Sequence, residues 1–246
     1  GEMMVMGIDP TREPGKLKNK IGIQLQTSGL PGNMKVGEAM DFFCAYHQVS
    51  PRKDLIKRLG LAEKVNTQYE QLSTGQQRRL ALSLAVAHNP PLVILDEPTA
   101  GLDVNSRTEL HGMMEELRSQ GVSILLATHD MAEAEKLADR VAILLHGSVV
   151  AKGSPRELTA TGSSLTKIST RTENSILVKK PGRFPAVTQQ LFKEEYSVFY
   201  SKDPAASVSA ILNYIEKHKD RLIDLRVERP SLEERFLEIT TPGGKK

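Results

Sequence analysis

Cysteine is almost absent from this 246-residue chain: Cys44 stands alone, so no internal disulfide can form, and a reducing compartment suits the composition. On a helix face Cys44 reads as a small apolar residue. Long hydrophobic runs are missing too. The longest, "LALSLAVA" (Leu80–Ala87) and "VAILL" (Val141–Leu145), fall far short of the roughly 20 residues of a membrane span, and no stretch reads as a signal peptide. Direct membrane insertion is therefore not expected, and any work at a membrane would pass through a partner. A strong charge of one sign is lacking as well. The 33 basic and 30 acidic side chains leave +3, scattered along the chain, so no nucleic-acid partner is expected. No internal repeat, heptad run or low-complexity tract appears. What remains is ordinary for a globular protein: 39% apolar and 26% charged residues, in a length that suits one or two domains with a real core.

Local patterns divide the chain into elements. "KNKIGIQLQ" (Lys18–Gln26) alternates apolar and polar residues and predicts a strand. "MKVGEAMDFFCAYHQV" places Val36, Met40, Phe43 and His47 on one helical face, and further helical sequence with Leu55, Ile56 and Leu59 stops at Gly60. Ser73 and Gln76 form a capping box that opens a helix running toward Asn89-Pro90. "PLVIL" and "VSILLATHD" predict short strands buried on both faces of a parallel sheet, joined by a helix whose inner face is Leu110, Met113, Met114 and Leu117. "DRVAILLHGSVVAKG" predicts a hairpin turning at His146-Gly147. Composition shifts near "GSPRELTATGSSL". Beyond it, Asp203-Pro204 starts a helix with Val208, Ile211, Leu212 and Ile215 inward. "LIDLRVE" is a strand, and Ser231 with Glu234 caps a last helix.

Two adjacent carboxylates, Asp96 and Glu97, leave the end of an apolar strand, where α/β proteins place ligand-binding groups. One can support Mg²⁺ while its neighbour deprotonates a water. An acidic pair by itself is more often a solvated strand end. Here it sits among "LSTGQQRRL", "LVILDEPTAGLD" and "ILLATHD", which resemble, in order and spacing, the signature, Walker B, D-loop and switch-histidine motifs of ATP-binding-cassette (ABC) ATPases.

That resemblance implies an α/β fold: a P-loop-NTPase-like parallel sheet with a helical subdomain (about 34–90) over residues 1–160, followed by a small α+β extension over 161–246. It implies ATP and Mg²⁺ as cofactors, and roles for particular residues. Ser73, Thr74, Gly75 and Gln76 match the signature that grips ATP held by a second ATPase subunit, Thr74 replacing the commoner glycine. Asp96 matches the carboxylate that supports Mg²⁺, and Glu97 the general base. Asp103 matches the D-loop aspartate, and His129 the histidine that contacts the γ-phosphate; capping the next helix is the structural role open to Asp103. Gln26 matches the glutamine that senses Mg²⁺ and relays to the membrane partner, with Gln24 competing for the role. "RPSLEERFLEIT" (Arg229–Thr240) resembles the close of ATPase subunits from ABC-2-type exporters.

The phosphate-cradling G-x-x-x-x-G-K-[ST] that such an enzyme needs is not in this sequence. Gly15-Lys16 has Pro10 in the first glycine position and Leu17 in place of the hydroxyl; Gly244-Lys245 has Ile239 in the first position. The adenine-stacking aromatic of the family is absent as well, and "GEMMVMGIDP" resembles the family's segment after the phosphate loop. The expectation is a chain whose N-terminal part is missing, inactive alone, from an ATP-hydrolysing subunit at the cytoplasmic side of the cell membrane. It would pair with a second subunit (homo- or heterodimer) and drive an integral membrane permease. The alternative is a degenerate, non-hydrolysing cassette that lends only its signature. Soluble cassette proteins of DNA repair or the ribosome carry coiled coils, zinc cysteines or tandem cassettes, none of which this sequence shows.

Overall fold

The computed structural model describes residues 2–27, 29–160, 165–193, 195–229 and 231–240. It divides into two compact units, Gly1–Asp130 and Met131–Lys246. The boundary expected at 160/161 falls inside the second.

The first unit is α/β. Its elements are α1 (Pro14–Lys18), β1 (Ile21–Gln24), α2 (Val36–Tyr46), α3 (Lys53–Arg58), α4 (Thr74–Ala85), β2 (Leu92–Asp96), α5 (Val104–Ser119) and β3 (Ser123–Ala127). The strands form a parallel sheet in the order β1-β2-β3, with Ile21 opposite Leu92 and Leu92 opposite Ser123. Strand β1 is shorter than the alternation predicts. Pro14, at the first position of α1, starts a helical turn that takes up Lys18, and Gln26 lies past the strand's end. The decoy Gly15-Lys16 is therefore part of a helix; Gly244-Lys245 lies outside the described residues.

One face of this sheet is well packed. Val93 and Leu95 are fully buried, and a Cβ on Gly22 would stand 2.0 Å from the Ala85 carbonyl oxygen, so only glycine lets β1 lie this close to the end of α4. The other face is packed only where Ile8 and Leu17 meet Ile21; Ile23 and Leu125 are about half exposed. This corrects the reading of β3 as a strand buried on both sides: its residues alternate between exposed and half-buried. The helices follow the expected faces. Val36, Met40 and Cys44 are buried on α2, Leu110 and Met114 on α5, and Gly60 and Gly121 take the positive φ that ends a helix.

The second unit contains α6 (Met131–Leu137), β4 (Val141–Leu145), β5 (Ser148–Gly153), α7 (Pro155–Ala160), β6 (Thr166–Thr172), α8 (Ile176–Lys179), β7 (Val187–Lys193), β8 (Tyr196–Ser201), α9 (Pro204–Lys217), β9 (Leu222–Glu228) and α10 (Leu232–Thr240). Strands β4 and β5 form the expected hairpin; His146 and Gly147 both have positive φ, the requirement of a type I′ turn. Strands β6 to β9 form an antiparallel sheet in the order β7-β8-β6-β9. Against it packs α9 through Ile211 and Ile215, which meet Ile168 and Phe199. Leu212, expected inward, is partly exposed instead, because it lies one residue off that stripe. Ser231 and Glu234 cap α10 reciprocally.

Candidate functional site

The site is built where β2 and β3 end side by side. Asp96 is the last residue of β2, paired in register with Ala127 of β3. The chain then turns sharply. Glu97 has φ +47, a left-handed conformation that costs about 1–3 kcal/mol for a residue with a side chain. Its N–H donates to the Ala127 carbonyl at 2.9 Å, and its carboxylate is thereby aimed at the loop after β3. There Glu97 Oε1 accepts from the His129 N–H at 2.9 Å and lies 2.7 Å from His129 Nδ1. The Glu97 side chain is 18% exposed while the His129 ring is 80% exposed. A shielded carboxylate against an accessible imidazole can accept and return a proton.

Asp103 caps α5. Its Oδ1 accepts from the N–H groups of Asn105 and Ser106, both at 3.0 Å, and its Oδ2 accepts from Ser106 Oγ at 2.7 Å. The Ser106 bonds are the main reason its carboxyl sits below the usual range. The capping role considered for it from sequence is thus the one observed in this chain.

Ser73 and Gln76 make the expected capping box at the start of α4: Ser73 Oγ accepts from the Gln76 N–H at 3.3 Å, and Gln76 Oε1 from the Ser73 N–H at 3.0 Å. Ser73 and Thr74 are exposed, whereas Gly75 is buried against α5. A Cβ on Gly75 would stand 2.6 Å from Ser106 Oγ. The starts of α4 and α5 thus touch through a glycine and a serine. Gln26 is exposed, and its carbonyl accepts a bond from Arg78 of α4. Gln24, the competitor, is 2% exposed with neither amide atom partnered.

The structure therefore joins Glu97 to His129, next to Asp96 at the end of β2, and links Gly75 to Asp103 through Ser106. It ties Gln26 to α4 by backbone rather than by side chain. Sequence reading missed Ser106 and Arg78. Ser106 had a signal: it lies three residues after an Asp N-cap, where a hydroxyl reaches back to the cap.

Part of the chain is similar to known proteins. Residues 1–100 match the family model described as "ABC transporter". Over that stretch the chain is similar to ABC transporters. It is 37% identical over 167 residues to the Nod factor export ATP-binding protein I of Rhizobium johnstonii, covering 64% of this chain and 53% of that protein. It is 26% identical to a linearmycin resistance ATP-binding protein of Bacillus subtilis over 98% of this chain and 80% of that one. With a daunorubicin resistance ATP-binding protein of Streptomyces coeruleorubidus the figures are 27%, 98% and 78%. A solved ATP-binding subunit of an ABC transporter superposes with a TM-score of 0.59 at 25% identity, covering 65% of this chain and 69% of that one. The chain spans about half the length of the Nod factor export relatives it matches. The relatives' names are those of export and drug-resistance ATP-binding proteins.

Proposed function

We propose that these residues belong to the ATP-hydrolysing subunit of an ABC exporter, residues 1–160 forming part of the ATPase domain and 161–246 an accessory extension. The observation that carries the proposal is the Glu97–His129 pair beside Asp96 at adjoining strand ends. In this reading Glu97 is the general base that takes a proton from the attacking water. His129 holds that carboxylate in place and offers its exposed ring to the γ-phosphate. Asp96 and Gln26 serve Mg²⁺, which supplies charge neutralisation at the phosphates when bound. The residues suit such an ion. Asp96 is half-buried, and no described residue bonds to its carboxylate. Among the described residues no three His, Cys, Asp or Glu side chains cluster as a metal site, as fits an ion held mostly by phosphate and water.

The partners in this reading are a second ATPase subunit, whose ATP would meet Ser73, Thr74, Gly75 and Gln76, and an integral membrane permease. No helix among the described residues is long and apolar enough to cross a membrane, which fits a peripheral place at the cytoplasmic face. The second reading, a cassette that only lends its signature, has the intact Glu97 and His129 against it.

The test uses a chimera in which a relative's phosphate-loop segment precedes residue 1. It should hydrolyse ATP, and Glu97→Gln should lower turnover by about 10²- to 10⁴-fold while ATP still drives dimer formation. A loss smaller than about tenfold would remove Glu97 from the role of base.

A further inference from the structure

The part of the second unit from β6 to β9 has a sheet with two unlike faces. Helix α9 covers one. On the other, the register pairs Ser169 of β6 with Val198 of β8 on one side and with Arg226 of β9 on the other. Two of the smallest side chains of the face thus meet at the middle of the sheet. Two residues before and after them on the same face stand long ones: Lys167 and Arg171 along β6, Tyr196 and Tyr200 along β8. Short side chains ringed by long ones leave a pit of about 280 Å³, close to the lower end of small-molecule sites, with Val198 and Ser169 as its buried floor.

The ring is organised rather than loose. Tyr196 donates its hydroxyl to Asp224 at 2.6 Å, Arg226 Nε donates to the same carboxylate at 2.9 Å, and Arg226 Nη2 donates to the Tyr196 oxygen at 3.2 Å. The guanidiniums of Arg171 and Arg226 lie 5.7 and 5.3 Å from the Tyr196 ring centre. Arg171 is paired with Glu195 and Lys167 with Glu228, at 2.7 and 2.9 Å. Each group is thereby held for recognition without having to be ordered on binding.

Charge then limits the ligand. Lys167 and Arg226 line the pit, each paired with a carboxylate, Lys167 with Glu228 and Arg226 with Asp224, and Glu234 also acts on Lys167. Among the described residues Arg226 Nη1 has no hydrogen-bond partner, and the ammonium of Lys167 has donors beyond the one given to Glu228. A polyphosphate or nucleic acid would meet Glu228, Glu195 and Asp224 around the rim and be repelled. A cation would meet the donors of Lys167 and Arg226, whose carboxylate partners are already engaged by them. One negative charge on a flat apolar body satisfies both the tyrosine walls and the spare donors.

We propose that this pit binds a small organic monoanion with a planar apolar body, a site separate from the strand-end cluster of the first unit. The test is titration of the isotope-labelled 246-residue chain with 2-naphthoate, followed by amide chemical shifts. The neutral 2-naphthylmethanol and the cationic 2-naphthylmethylamine serve as comparisons. Saturable shifts should centre on Ser169, Val198 and Arg226, with naphthoate about fivefold tighter than the alcohol, the worth of one exposed ion pair. Val198→Trp, which fills the pit, should abolish them. Arg226→Gln, an exposed change that keeps the fold, should bring acid and alcohol to near parity. The proposal is overturned if naphthoate shifts centre elsewhere or fail to saturate, if the amine or the alcohol binds as well as the acid, or if Arg226→Gln leaves the preference intact.

Discussion

A Cβ added at Gly75 would stand 2.6 Å from Ser106 Oγ and 3.0 Å from Ser106 Cβ, so at the scale of single residues this glycine is required by its neighbour in the same chain. Its φ is not in the left-handed region, and the constraint is contact alone. Ser106 cannot retreat freely, because its Oγ donates to Asp103 at 2.7 Å. Gly75→Ala should therefore destabilise the protein by about 1–3 kcal/mol through overpacking, less whatever helix propensity returns in a first turn. Ser106→Ala removes the nearest clashing atom. In that background Gly75→Ala should cost at least about 0.5 kcal/mol less, a coupling that urea denaturation of the four proteins would measure. Strict additivity would mean that the starts of α4 and α5 are not in contact.

Among the elements, α2 and α4 are joined by a stacked pair of histidines. His47 closes α2 and His88 follows α4; their rings are 3.7 Å apart and within 4° of parallel. Burial lowers both from the ordinary 6.5, and for His88 the neighbouring His47 adds to it. Beside them Arg52 donates to the Ala87 carbonyl and to Asn89 and is balanced by Asp54. The folded state therefore favours neutral imidazoles, and below the ordinary value the unfolded chain binds more protons. Stability should rise with pH up to about 6.5 and fall as pH drops from about 7 to about 5. His88→Phe, which keeps the ring without a titrating nitrogen, should flatten that slope in denaturant melts; an unchanged slope would assign it elsewhere. Asp220 acts in the opposite range. Burial alone would raise its carboxyl, but N–H donors from Asn174 and Ile176 hold it at about 2. Its contribution is present above about pH 4 and is lost as pH falls toward 2, so Asp220→Asn should lower stability at pH 7 and not at pH 2.

These elements also show what a sequence makes legible. Short-range chemistry was readable: the capping boxes at Ser73 and Ser231, the positive-φ turn at His146-Gly147, and the crossover through α5 all depend on residues a few positions apart. The exposure of β3 was not readable, because an apolar run records what a strand can tolerate, not what covers it. Strands β6, β7 and β8 escaped for a related reason. Their polar face carries Lys167, Arg171 and Tyr196, and the alternation that marks a half-buried strand there is short and interrupted. At the site, Asp96, Glu97 and His129 stood out by motif, while the contact of Gly75 with Ser106 joins residues 31 positions apart and needs the fold to be seen.

For the whole molecule, the question is which subunit each motif serves. If the start of α4 grips ATP bound by a second subunit, damage there should disable the neighbour's site and spare its own. Gly75 is a poor place for that damage, since it disturbs Ser106 in the same chain. Thr74 is better: it is exposed at the first position of α4. Thr74→Asp favours the helix, because a carboxylate suits its N-terminus, yet it repels a γ-phosphate. Two unit charges about 4 Å apart repel by about 4 kcal/mol at an effective dielectric of about 20. In the chimera carrying a phosphate loop, neither Thr74→Asp nor Glu97→Gln should hydrolyse ATP alone. In a mixed dimer, one composite site collects both lesions, while the other combines an intact base with an intact signature. Mixed dimers should then recover turnover, up to half of the wild-type value if the two sites act independently. A mixture as inactive as its parents would leave strict coupling or action within one chain. ATP occupancy separates these two: Thr74→Asp monomers that bind ATP as wild type does require coupling, and monomers that lose ATP place the signature in the site of its own chain.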